Sequence, residues 1–419
     1  MKAFYEQNIQ QTKRELQSLD KRINTNSLMR LALIIIGAIA LFQIFQLNNV
    51  WILIGAVFAL ILGFSYLVLR QSKLEKLRDE KKAFLRVNEN EQQIVNHGQN
   101  MYSHGEEFDD PKHAYVSDLD IFGEKSLFAL INRAATIDGL STLASWFLSP
   151  AKKYEIIERQ QAAKELANKR EWTQLFQTKL LFNLGQKTNI KTFLKRYLED
   201  ESLNFGSSFM RIYVMIVPFV FLAGILISLF ITPIWNYLLL LAIIHLLWAM
   251  ALGGKVSYFS SRIDKIGFTL LSYADAEKMV ENENFISALP PRLQRQLKTE
   301  NNETLSTAFK NLGRLVDKLD ARNNILIGSI LNMLLLWDFR QVLAIVDWKK
   351  SYQGNVLKAF EIIAEFEAIV SLATLKSNYS SWAEPTILDN PQQDRIHATD
   401  ITHPLIGSQI AVSNNYNAH

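Results

Sequence analysis

Four apolar stretches of about 20 residues, each the length of a helix crossing the hydrocarbon core of a bilayer, constrain this chain more than any other feature. They are Leu28–Leu47, Val50–Leu69, Ile212–Ile231 and Ile234–Gly253, and their only charge is Arg30, near one end where it can snorkel. They abut in pairs across Asn48-Asn49 and Thr232-Pro233, turns without charge, so each pair reads as a transmembrane helical hairpin. Trp51, Tyr66, Trp235, Tyr237 and Trp248 lie near span ends, where amphipathic rings prefer to sit. Ala38-Ile39-Ala40 has the small-x-small form of a signal-peptide cleavage site. The long charged leader before it and the apolar run beyond it favour a span instead.

Orientation follows from Lys and Arg placement. Lys13, Arg14, Lys21, Arg22 and Arg30 precede the first hairpin, and Arg70, Lys73, Lys76, Arg78, Lys81 and Lys82 follow it. Lys191, Lys195, Arg196 and Arg211 precede the second, and Lys255, Arg262 and Lys265 follow. Both termini and every sizeable polar segment are therefore expected in the cytoplasm, with the chain multi-pass in the inner (plasma) membrane and the lipid bilayer its first partner. Inside the spans the polar residues Gln43 and His245 read as interhelical hydrogen bonds or partners for a freed carbonyl, ahead of a transport path. Pro218 and Gly224 are expected to kink the third span.

The rest of the 419 residues divides the work of a soluble body. A net charge of +4 gives no whole-chain argument for nucleic acid, and zero Cys excludes disulfides, thiolate metal sites and a Cys nucleophile. Residues 1–27 and 71–93 read as charged helices continuing from the first hairpin, the basic residues of Lys73–Arg86 forming a solvated face or a lipid-attracting cluster. Residues 94–117 lack periodicity and read as a linker, in which His97, His104 and His113 share no ligand spacing. From Asp118 the spacing turns helical, with Leu127, Leu130, Ile131 and Ala134 on one face and Leu143, Trp146 and Phe147 on the next. Tyr154–Trp172 begins another helix, Ser257–Ser287 is helical until Pro290-Pro291 stops it, and helices over Thr304–Asp320, Asn323–Trp337, Asp338–Lys349 and Gly354–Tyr379 follow. Ile325–Trp337 is apolar but of core length. Trp382–Asp394 is turn-rich, and β-prone runs lie around Leu405-Ile406 and Ile410–Val412.

Catalytic motifs are missing from the sequence. Gly253-Gly254-Lys255 approaches a phosphate-binding loop, but Ala249 and Val256 replace its first Gly and its hydroxyl. Gly139-Leu140-Ser141 is not a nucleophile elbow, since Leu143 follows where Gly is needed. No catalytic, cofactor-binding or metal-ligating residue is assigned.

One block does resemble a family. Residues 118–150 and 156–166 (DLDIFGEKSLFALINRAATIDGLSTLASWFLSP and IIERQQAAKEL) resemble the opening of the helical core of MutS-type DNA mismatch-repair proteins. The resemblance is carried by Leu127, Phe128, Asn132, Thr136, Gly139, Leu143, Trp146, Arg159 and Gln160. Trp337-Asp338, EFEAIVSLATL at 365–375, Trp382 and Pro385 match its second half, and ATDITHPLI at 398–406, with His403 and Pro404, looks like the entry to that family's ATPase domain. It covers about 118–205 and 255–417 and is closest to a membrane-anchored MutS-like branch.

The residue pattern gives a mainly α fold with a cytoplasmic N-terminal helix (1–27), hairpin 1 (28–69), a juxtamembrane helix and linker (70–117), hairpin 2 (209–254) and a short β-prone tail; the resemblance makes 118–208 and 255–383 the two halves of the helical core, puts hairpin 2 in the lever or clamp position and makes 384–419 the ATPase entry. It implies a relation to ATP-dependent mismatched-DNA binding. ATP and Mg²⁺ are then expected only if a continuation or a partner chain supplies the ATPase, whose phosphate-binding loop and acidic Mg²⁺ residue are not among these residues. DNA, a second copy of the chain or a separate ATPase chain are the implied partners. Phe122-Gly123-Glu124 matches the family's mismatch-reading motif by letter only. The alternative is a non-enzymatic membrane scaffold that never meets DNA.

Overall fold

The apolar spacing folds almost wholly as helix, and the computed structural model describes residues 1–417 except 48, 97, 201–204, 262, 264–266, 299–302, 321, 323, 353, 389–395 and 407–409. Asn48, His97, Arg262, Lys265, Pro391 and Asp394 of the sequence reading lie outside the described residues. In chain order the helices are α1 (Lys2–Phe45), α2 (Val50–Val95), α3 (Leu127–Ile131), α4 (Ile137–Leu148), α5 (Lys153–Asn168), α6 (Arg170–Leu180), α7 (Ile190–Glu199) and α8 (Ser208–Phe230). Then come α9 (Trp235–Ala251), α10 (Gly253–Ser261), α11 (Gly267–Asn282), α12 (Leu289–Arg295), α13 (Leu305–Asp320), α14 (Ile325–Leu335), α15 (Trp337–Tyr352) and α16 (Val356–Asn378). Strands β1 (His397–Ile401) and β2 (Asn414–Asn417) pair antiparallel. The chain forms two compact units, Met1–Ile131 with Asn168–Leu181 and Thr374–His419, and Asn132–Ala167 with Phe182–Ala373.

In the first unit α1 and α2 lie antiparallel along their whole length. Gly37 faces Leu60, Asn26 bonds Gln71, Glu15 pairs with Lys81 and Asn8 bonds Asn88. Of their most apolar windows only 6% and 0% is buried, so the outward face is apolar where a water-soluble hairpin would be polar. Asn49 caps α2 by accepting from the Trp51 and Ile52 amides. At the foot of the apolar part, Asn26 donates to the Leu67 carbonyl at 3.0 Å and to Gln71 Oε1 at 2.8 Å, and Gln71 donates to Glu75. These buried polar side chains fix the register of the pair, because any slip leaves them without partners. Further from the apolar part, Asn8, Asn88 and Gln174 of α6 close a second amide cluster.

In the second unit α8 and α9 form the other hairpin. Gly224 permits its tight contact, since a Cβ there would meet Leu238 Cδ2 at 2.4 Å. Ser228 Oγ accepts the Ile234 amide and closes the turn. Helix α8 runs unbroken from Ser208 to Phe230, with Pro218 and Gly224 inside it. The fourth apolar stretch does bend, by 53°, where α9 passes into α10.

Several expectations are corrected. Ile325–Trp337 has the length of a core helix, but α14 is not core: Ile325 is 81% and Leu326 76% exposed, and the helix packs on α8 and α9. Its solvent-averse outer face continues that of the hairpin. Pro290 and Pro291 open α12 instead of ending a helix, because Pro in the first turn sacrifices no intrahelical bond. The helix expected through Ala134 stops at Ile131, since 132–136 bonds to side chains of α16. Residues 94–117 are no loose linker: Asn90 accepts the Met101 amide and Asn100 donates to the Ala129 carbonyl. Gly105, at φ 76°, lies against Phe122 and Phe128. In the tail the β-prone Leu405-Ile406 forms a turn, the Ile406 amide donating to His403 O across Pro404, and the strands lie on either side of it. Pro at the second position of a turn has its φ already set.

Asn26→Ala and Gln71→Ala are each expected to lower the melting temperature of the detergent-solubilised chain, and a double-mutant cycle should return a coupling of about 1 kcal/mol. Additive losses would mean that the pair does not set the register.

Candidate functional site

The best-connected polar cluster in the second unit joins the start of α4 to α16. Thr136 is the N-cap of α4, its hydroxyl accepting the Gly139 amide at 2.9 Å. Glu367 of α16 reaches the same turn. One carboxylate oxygen accepts the amides of Ala135 at 2.8 Å and Thr136 at 3.2 Å, and the other accepts the Thr136 hydroxyl. Gly139 is required by this approach, because a Cβ there would stand 2.1 Å from Glu367 Oε2. One turn further along α16, Ser371 Oγ accepts the Arg133 amide at 2.9 Å and donates to the Glu367 carbonyl. Asn132 Oδ1 accepts the Ala134 amide. The amides of 133–136 are thus satisfied by two α16 side chains and by Asn132.

Glu367 is buried with its carboxyl pushed up to about 7, chiefly by desolvation, with Asp138 acting the same way and the Thr136 hydroxyl and the Ala135 and Thr136 amides opposing. Glu277 of α11 is buried with neither oxygen hydrogen-bonded, and burial, aided by Glu281, drives its carboxyl well above the ordinary range. Glu367 opens the apolar run AIVSLATL of its helix, a signal the sequence carries, whereas Glu277 is surrounded in sequence by Asp275, Lys278 and Glu281 and carries none.

Beside this junction an open groove of about 490 Å³ runs between α4, α7, α12 and α16, lined by Ser141, Thr142, Ser145, Lys191, Lys358 and Glu361 among others. Lys191 is committed to Glu361 at 3.0 Å. The lining therefore offers hydroxyls, two lysines and three carboxylates (Asp138, Glu361 and Glu365) without an arrangement of nucleophile and base. No group of His, Asp or Glu able to hold a metal ion occurs among the described residues.

The sequence-derived positions fall in separate places. Thr136, Gly139 and Asn132 belong to the junction. The Arg159 guanidinium lies 4.0 Å from the centre of the Trp146 ring, a cation–π contact linking α4 and α5. Gln160 is partly buried and bonded on α5. In the first unit Leu127 and Phe128 lie on α3, with Phe128 buried against Phe122. Trp337 donates from Nε1 to the Lys318 carbonyl, and Asp338 sits 3.7 Å from Arg322 and bonds Asn332 through its amide. They form the 79° corner between α14 and α15, with Leu336 in the left-handed region at φ 47°. His403 is exposed in the tail turn, and Pro404 is half-buried beside it. Gln43 is exposed on α1, within the apolar part.

His245 is fully buried in the second hairpin. Its Nδ1 lies 3.0 Å from the Met333 carbonyl of α14 and its Nε2 2.7 Å from the Tyr213 hydroxyl of α8. A carbonyl can only accept, so Nδ1 carries the hydrogen and Nε2 accepts from Tyr213. The imidazole joins three helices and satisfies a C-terminal carbonyl of α14.

Compared with known proteins, the chain matches no family model, no curated protein and no solved structure.

Since the folded-state value of Glu367 lies above the ordinary one of 4.5, its contribution to stability is complete below that pH and is lost as pH rises through about 7. Wild type should therefore lose melting temperature relative to Glu367→Gln across this window, while Gly139→Ala lowers it at every pH. A pH-independent difference between wild type and Glu367→Gln would contradict this account of the junction.

Proposed function

We propose that this chain is a membrane-anchored, MutS-like helical protein, multi-pass in the inner membrane with both termini and its polar bodies in the cytoplasm. The observation that carries the MutS-like reading is the Glu367 junction. It joins Thr136 and Gly139 of the first block to Glu367 of the EFEAIVSLATL block, 231 positions from Thr136, and so closes the two blocks of the resemblance onto one another. The second hairpin lies between those blocks in sequence, where the resemblance places the lever and clamp. Its role in this reading is to tie the core to the membrane, so that a change in the core is transmitted to lipid-embedded helices. Mismatched DNA, ATP and Mg²⁺ are what the resemblance adds. Nucleotide chemistry belongs to a domain with a phosphate-binding loop, which these residues do not supply.

The membrane part of the proposal is supported by the almost unburied apolar windows of α1 and α2 and by the exposed apolar face of α14 beside α8 and α9. A membrane scaffold without DNA is the second reading. It is favoured by the pairing of cations in the second unit, Lys191 with Glu361, Arg292 with Glu158 and Arg211 with Asp347.

Anisotropy of labelled mismatched and matched duplexes with the detergent-solubilised chain separates the two. The MutS-like reading expects binding at low salt whose logarithm falls linearly with the logarithm of salt concentration. No binding at low salt would favour the scaffold.

A further inference from the structure

The first unit holds a second polar feature, unrelated to the junction. At the foot of the first hairpin a groove of about 390 Å³ is lined by Arg14, Gln17, Ser18, Lys21, Arg22 and Thr25 of α1 and by Arg70 of α2. The α1 residues fall at spacings of three and four, so they occupy one face of that helix. No carboxylate lines the groove. Other cations of the same helix pair are committed: Lys13 to Glu89, Lys81 to Glu15, Arg78 to Asp79, and Lys179 of α6 to Glu80. Arg14, Lys21, Arg22 and Arg70 make no ion pair among the described residues. Lys21, Arg22 and Arg70 gather like charge at the upper end of this groove, and an anion there would relieve their mutual repulsion.

Position names the anion. Arg70 directly follows Leu69, the last apolar residue of α2, and Arg22 lies six positions before Leu28, the first of α1. At about 1.5 Å per residue, Lys21, Arg22 and Thr25 sit within roughly 10 Å of the hydrocarbon edge. The headgroup layers make up the difference between a core of about 30 Å and a whole bilayer of about 40–45 Å, roughly 5–8 Å on each side, so Arg70 and Thr25 stand at that depth and the long side chains of Arg22 and Lys21 reach back to it. The Asn26–Gln71 pair fixes the register of α1 against α2 at this level, which holds Arg70 across from the α1 cations.

We propose that this groove binds the phosphate-bearing headgroup of an anionic glycerophospholipid from the cytoplasmic leaflet. Arg22 and Arg70 grip the phosphate as forked donors and Lys21 adds a point charge. Ser18, Gln17 and Arg14, roughly 15–20 Å from the apolar edge, line the part of the groove that stays in water. The proposal rests on the membrane reading above and adds a selective site to it.

The test reconstitutes the full chain in bilayers of equal phosphatidylglycerol and phosphatidylcholine, re-extracts it in mild detergent and counts retained lipids by mass spectrometry. Carbonate extraction of the same bilayers is the parallel readout for embedding. Wild type should retain phosphatidylglycerol over phosphatidylcholine by at least about fivefold, since one charge-assisted contact is worth roughly that factor or more. Arg22→Gln with Arg70→Gln should bring the ratio near one, while Lys73→Gln with Lys76→Gln, the same charge loss outside the groove, should leave it high. An embedded chain with no enrichment, or with equal loss in both variants, overturns the lipid site and leaves the membrane reading standing. Extraction of wild type by carbonate overturns both. Enrichment abolished by excess inorganic phosphate, with phosphate retained in its place, would assign the groove to a free anion and overturn the lipid proposal.

Discussion

A backbone placed in hydrocarbon must satisfy its own amides and carbonyls, and this constraint sets what the rest of the chain can do. The first hairpin meets it with two helices of 44 and 46 residues that do not end where the apolar residues end. At about 1.5 Å per residue each is far longer than a hydrocarbon layer of about 30 Å, so in the proposed membrane reading the pair continues beyond the lipid as a stalk. The change of solvent is written in its side chains. Outside the stalk's foot the helices meet through Gly37 and Leu60, and beyond it through amides at Asn26 and Gln71 and at Asn8, Asn88 and Gln174. Largely buried as they are, such polar pairs stabilise the hairpin only in the register that satisfies them, and so specify which residues face each other.

The second unit solves the same problem with shorter parts. Its 23-residue α8 is long enough alone, while the 17-residue α9 bends into α10, and the 11-residue α14 completes the apolar surface. His245 holds these pieces together because a short helix leaves its last carbonyls free, and Met333 offers one. Away from the apolar surface the unit is closed by another polar device: Glu367 holding the amides before α4 from α16. A carboxyl kept in so dry a position has its proton retained towards neutral pH, which makes that closure responsive to pH.

Much of this was legible from residue order. The two hairpins followed from the length of the apolar runs, and the helices 1–27 and 71–93 from their continuation in charged sequence. What was not legible depends on contacts between distant positions. Nothing local marks Ile325–Leu335 as a surface helix; its exposure follows from packing on α8 and α9. Nothing local stops α3 at Ile131, since the partners of 132–136 arrive from α16. The requirement for Gly139 is set by Glu367, 228 positions later by the numbering of the chain. The role of Thr136, by contrast, was partly readable, as a capping residue ahead of an apolar helix.

The absence of Cys from the chain permits single-cysteine substitutions to be labelled without background. The most direct measurement is reaction of Asn49→Cys, Thr232→Cys and Ser18→Cys with a membrane-impermeant maleimide in right-side-out and inverted vesicles. Immersed hairpins with their polar parts inside require Asn49→Cys and Thr232→Cys to react only in right-side-out vesicles and Ser18→Cys only in inverted ones. Equal labelling of all three from the same side would contradict the account.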